Sequence, residues 1–124
     1  MNFEKTDFGT ITIDGKRYDH DIYLFVNGTI QKRDKHNSPR IGGHRSLSKW
    51  ELDQVLKDDP EILIIGMGQS GVLPFTDDAE LTLESLINEK SVKIIKGITP
   101  EILSKTNDVL NSGKRVAGVF HTTC

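Results

Sequence analysis

The sequence is poor in several things that would otherwise decide its class. Among its 124 residues there is one cysteine, and aromatic residues make up only 6%. A single cysteine excludes an intramolecular disulfide framework and suits a reducing compartment. No apolar run approaches the roughly 20 residues that a membrane-spanning helix requires. The stretch from Met1 to Asp7 lacks the apolar core of a secretory signal. Neither sign of charge dominates. Sixteen Lys and Arg face eighteen Asp and Glu, a net charge of −2, which argues against a dedicated nucleic-acid binder. A cytoplasmic, soluble protein without a membrane segment is the expectation. The length fits one domain, residues 1–124, able to bury roughly two-thirds of its unfolded-chain surface.

What is present begins with β structure. Gly9-Thr10-Ile11-Thr12-Ile13 alternates apolar with polar, the period of a half-buried strand. Asp14-Gly15 supplies the positive φ angles of a two-residue type I′ turn. A longer strand is expected from Tyr18 to Val26, then a second turn of the same kind at Asn27-Gly28 and a return strand from Thr29 to Lys32. Residues 34–47, with Pro39 and Gly42-Gly43, read as a loop. Ser48 and Glu51 have the spacing of a reciprocal capping box, with Leu47 and Leu52 as its hydrophobic staple. Pro60 stops that helix. Ile62-Leu63-Ile64-Ile65 is a continuous apolar run, as in a strand covered on both faces. A helix capped near Asp77 or Asp78 runs to about Asn88. Val92 to Ile95 forms a strand. Thr99 caps a third helix with Pro100 at its first position, ending near Gly113, and Arg115 to Phe120 closes the domain. The sum is an α/β fold: an N-terminal three-stranded β-meander followed by β-α-β-α-β, layered around a mixed, mostly parallel central sheet.

Gly66-x-Gly68-x-x-Gly71 follows a strand with dinucleotide-binding spacing. In that motif the helix opens within the glycines so that its N–H groups meet the pyrophosphate. Here Pro74 and the Asp77-Asp78 cap delay the helix, and the acidic pair would repel phosphate, so a structural turn or another kind of pocket is the better reading. Ser70 lacks nucleophile-elbow spacing, because Val72 stands where the last glycine belongs. His121 and Cys124 form an H-x-x-C tail. His20, His36 and His44 add no paired spacing, so no metal site and no cofactor is expected. The tail reads as structural, with His121 bonded to a buried carbonyl and Cys124 seating the end of the chain. His121 nevertheless falls at the carboxyl end of a strand, where open α/β sheets place ligands. Between Lys32 and Lys49 six bases meet only Asp34. His44 and Arg45 in this loop, with Arg115, are the candidate anion-binding residues. Asn107 shares a helical side with Leu103 and Leu110, so its amide needs a partner at the core.

The C-terminal pattern Asn107-x-x-Leu110-x-x-Gly113-x-Arg115-Val116-Ala117-Gly118-Val119-Phe120-His121-x-Thr123-Cys124 resembles the Mth-type domain, a small domain of unknown function. Ile64-Ile65-Gly66-x-Gly68 is similar to that family's second signature, and Gly42-Gly43-His44 is a looser match. The resemblance covers most of the chain. It implies a layered α/β fold with a mixed sheet and no assumed catalytic activity. It marks Gly66, Gly68, Gly71, Asn107, Arg115, His121 and Cys124 as signature positions. Animal members imply roles in protein interaction or assembly.

Two functional expectations follow. The first is a non-catalytic protein- or ligand-binding module of assembly type, with an unidentified protein partner. The alternative is a small enzyme or anionic-metabolite-binding protein. Its pocket would be formed at the strand carboxyl ends by Gly66, Gly68, Gln69, Ser70, Gly71, Asn107, His121 and Cys124.

Overall fold

The computed structural model describes residues 1–124. Ten strands and three helices occur in the order β1 (Phe3–Asp7), β2 (Thr10–Ile13), β3 (Lys16–Tyr18), β4 (Ile22–Leu24), β5 (Ile30–Lys32), β6 (Arg40–Ile41), β7 (His44–Arg45), α1 (Lys49–Leu56), β8 (Ile62–Met67), α2 (Asp77–Lys90), β9 (Lys93–Gly97), α3 (Thr99–Leu110) and β10 (Val116–His121). An antiparallel sheet β1-β2-β3 packs beside a five-stranded sheet of order β5-β4-β10-β8-β9. In the larger sheet β10, β8 and β9 run parallel, while β4 and β5 are antiparallel. The expected α/β class and mixed sheet are both present.

The alternation of side chains explains the layers. Leu63 and Ile65 of β8, Ala117 and Val119 of β10 and Tyr23 of β4 face α1 and α2, within a core of 14 buried residues. The intervening Ile62, Ile64, Val116, Phe120, Ile22 and Leu24 face α3 and the small sheet, in a second core of 12. The apolar run at Ile62–Ile65 is therefore buried on both faces, as its composition requires.

The N-terminal strands differ from the expected meander in detail. β1 is an addition to it, and only Phe3 of its five residues is buried. The strand expected from Tyr18 to Val26 divides at Asp19–Asp21. β3 pairs with β2, whereas β4 crosses into the large sheet. A buried carboxylate at Asp21 breaks the strand and bonds to the chain's last residues instead. The Asp14-Gly15 turn has both φ angles positive, at 51° and 78°. At Asn27-Gly28 only Gly28 is positive, because β4 ends at Leu24 and a five-residue loop, 25–29, reaches β5. Residues 34–47, expected as loop, include the short hairpin β6–β7.

The caps differ in part as well. Ser48 caps α1 by accepting the Glu51 N–H, and Leu47 and Leu52 are fully buried. The reciprocal half of the box is missing, since the Glu51 carboxylate is committed elsewhere. Thr76 caps α2 by accepting the Ala79 N–H, and Ile98 rather than Thr99 is the N-cap of α3. Ile64, fully buried at the middle of β8, tests the two-sided core. Ile64→Ala should cost about 2–5 kcal/mol, read as a lowered urea midpoint with an unchanged m-value.

Candidate functional site

The polar centre of the domain lies at the carboxyl end of β10. His121, the last residue of that strand, holds the Asp21 carboxylate through Nδ1 at 2.7 Å. The second Asp21 oxygen accepts from the Thr122 N–H at 2.7 Å and the Thr122 hydroxyl at 2.8 Å. Arg33, whose side chain is wholly inaccessible, reaches Asp21 through Nη1 at 3.0 Å and Glu51 through Nε at 2.6 Å and Nη2 at 2.8 Å. Its Nη2 also donates to the Ser46 carbonyl. Glu51 further accepts from the hydroxyls of Tyr23, at 2.7 Å, and Ser38, at 2.5 Å. A fork-shaped guanidinium thus joins two buried carboxylates from separate segments. No buried side-chain nitrogen or oxygen in the molecule lacks a partner.

Burial alone would push the Asp21 carboxyl up. The bond and charge of His121, the charge of Arg33 and the Thr122 hydroxyl outweigh it and hold the group well below the usual carboxylate range. Burial would lower the Arg33 pKa, but its bonds to Glu51 and Asp21 raise it. Burial and the adjacent Glu51 carboxylate push the Tyr23 phenol far above its ordinary value.

The glycine loop meets the chain's tail at the same end of the sheet. Gln69 N–H donates to the Thr123 carbonyl at 2.6 Å, and the N–H groups of Ser70 and Val72 donate to the Cys124 backbone oxygen at 3.2 and 3.0 Å. Gly68, at φ +99°, leaves no room for a side chain. A Cβ there would stand 2.5 Å from the Cys124 carbonyl carbon and 2.6 Å from the His121 ring. Thr99 ties the loop to β10, accepting the Gly68 N–H and donating its hydroxyl to the His121 carbonyl at 2.6 Å. This bond, not a helix cap, is what its hydroxyl does. The Gln69 side chain donates to Thr6.

The structure thus gathers Gly66, Gly68, Gln69, Ser70, Gly71, His121 and Cys124 at one end of the sheet. Asn107 is elsewhere on α3. Its carboxamide accepts the Phe3 N–H at 2.7 Å and donates to the Phe3 carbonyl at 2.9 Å, pairing with β1 as a strand backbone would. Arg115 precedes β10 at the opposite end of that strand, where its Nε donates to the Asp59 carbonyl and its N–H to Glu61. Arg45 bonds the Lys35 and Ser38 carbonyls, and His44 sits half-buried in the hairpin. The three candidate anion-binding residues therefore do not converge. His121 bonds a carboxylate rather than the carbonyl expected. Sequence reasoning missed Asp21, Arg33 and Glu51. The available signals were a charge interrupting an apolar strand and a Glu in capping position whose carboxylate was free to serve another group.

Chemically, Thr123 Oγ1 lies 3.3 Å from His121 Nε2, so hydroxyl, imidazole and carboxylate follow the order of an acyl-transfer relay. The loop N–H groups that could hold an oxyanion are bonded to the tail instead. Two well-formed concavities lie away from His121. One, about 1260 Å³, lies between α1 and α2 at the amino ends of the parallel strands. The other, about 630 Å³, runs between β1 and α3 and includes Asn107. No three His, Cys, Asp or Glu side chains group as a metal site. No helix is long and apolar enough to cross a membrane.

The profile of a protein family of unknown function, DUF498/DUF598, matches residues 3–121, and the chain belongs to that family. Among solved structures it is similar to the conserved hypothetical protein PH1505 from Pyrococcus horikoshii OT3. The identity is 31%, all of both chains is covered and the TM-score is 0.81. MT938 is 29% identical, with 99% of this chain and 98% of that one covered and a TM-score of 0.79. A Mth938-like domain from Bordetella pertussis shares the fold at 16% identity over 97% of this chain and 84% of that one, with a TM-score of 0.53. No curated protein matches.

Two predictions concern the network. Arg33→Met strands two carboxylates in the interior and should destabilise by about 3–5 kcal/mol, a loss that denaturant titration at neutral pH reads directly. The second concerns pH. Asp21 has a lower pKa folded than unfolded. Its contribution is therefore complete above the ordinary carboxylate range and is lost as pH falls through that range toward the folded value. The urea midpoint of the wild type should decline below about pH 4, and that decline should be shallower in Asp21→Asn.

Proposed function

We propose that the domain is a non-catalytic binding module of assembly type, working through contact with another protein. One observation carries this reading: the groups with chemical potential are consumed in holding the chain together. His121 and Asp21 are joined to each other, and the glycine-loop N–H donors bind the tail. A site built for turnover keeps an open position for substrate beside its reactive groups. The domain's ordered tail, drawn from the most specific stretch of its sequence, supports a role in maintaining shape rather than in chemistry. A half-buried, unpaired Cys124 suits work in the reducing cytoplasm.

The deciding experiment is affinity purification of the wild type at native expression level, alongside a thermal-shift series with anionic metabolites. A reproducible protein partner in stoichiometric yield, together with flat thermal shifts, is the expected result. The proposal fails if no partner is recovered, or if a metabolite stabilises the wild type and this gain vanishes in His121→Asn.

A further inference from the structure

The groove between α1 and α2 has a polarity that the fold itself does not use. Its floor is apolar, with Leu86 buried and Leu56 half-buried, and Leu81 stands on its wall with 65% of its surface exposed. The half-buried Ser85 lies one turn further along α2, a small residue beside a large one. The two ends of α2 differ in charge. Its first turn carries Asp77, Asp78 and Glu80. At its other end Lys90, Lys93 and Lys114 border the groove, and none of the three pairs with a carboxylate of the chain. The acids at that end are fewer than the bases: Glu61 is held by Arg115, Glu89 accepts from the Ser85 hydroxyl, and Asp59 lines the groove without an ion pair, against Lys90, Lys93, Lys114 and Arg115.

A segment that fits this groove is a helix with acid at one end and an exposed leucine near its middle. The chain contains one, α2 itself. We propose that the groove is the contact face of a homodimer in which α2 of one copy lies antiparallel to α2 of the other. A two-fold axis makes such a contact with a single self-complementary patch. It sets the acidic first turn of each helix against the lysines of the other copy, so the charge match occurs twice. It also places each Leu81 over the other copy's Ser85, toward the apolar floor. The 14 residues of α2 give a contact about 21 Å long, and the flanking α1 surface and strand ends widen it.

Sedimentation equilibrium over a concentration series tests the proposal, with thermal midpoints measured on every variant. The wild type should show a monomer–dimer equilibrium that weakens as salt is raised. Leu81→Asp changes an exposed side chain, so the fold should persist while the dimer dissociation constant rises about 100-fold or more. Two charge-reversed chains, Asp77→Lys/Asp78→Lys and Lys90→Glu/Lys93→Glu, should each be monomeric alone and form a heterodimer on mixing. A wild type that stays monomeric at millimolar concentration overturns the proposal. So does a dimer that survives Leu81→Asp, or folded charge-reversed chains that fail to pair when mixed.

Discussion

The fold depends on the Arg33 guanidinium buried between Asp21 and Glu51. Three charged groups are removed from water there. Such burial is tolerated only when their geometry supplies nearly every hydrogen bond that solvent would have made. Arg33 follows β5, Glu51 sits in the first turn of α1, and Asp21 stands where the N-terminal strands part between two sheets. Satisfying one guanidinium therefore fixes three segments relative to one another. Through Asp21 the same network holds His121 and Thr122, so the end of β10 is set by a residue 100 positions away.

The loop and tail complete that arrangement. The glycines between β8 and α2 let the backbone approach the tail closely, and Gly68 does so at a φ angle and a distance that exclude any side chain. A spacing that elsewhere cradles phosphate here grips the chain's own carbonyls. The specific C-terminal signature thus includes a histidine bonded to a buried carboxylate. Of the signature, Gly68, His121 and the tail carbonyls meet one another, while Asn107 holds β1 and Arg115 bonds the Asp59 carbonyl at the far end of β10. An open groove lies at the opposite end of the parallel strands, beside α1 and α2.

Much of the secondary structure was legible in the residues. The Ser48 cap, the two-sided apolar run at Ile62–Ile65 and the late start of α2 all follow from local chemistry. β1 was not legible, because it is an edge strand with mostly exposed side chains and carries no alternation. The division of Tyr18–Val26 was not legible either. A charge within an apolar strand can mark a turn, an exposed edge or a buried pair, and only the partner distinguishes them. The candidate site was half legible. The glycine loop, His121 and Cys124 do meet, whereas Asn107, Arg115 and Arg45 serve different backbone contacts.

Periodicity, turn chemistry and caps are properties of neighbouring residues, and so the sequence by itself determined the class of fold, the order of the later elements and the family. Tertiary structure alone decided that Asp21, Arg33, Glu51 and His121 form one buried unit, because their pairing depends on segments brought together across the sheet. It also decided that the glycine loop binds the tail rather than leaving its donors free. Charge and hydrogen-bonding capacity can be read from a residue's identity, but the group that satisfies them is set by folding.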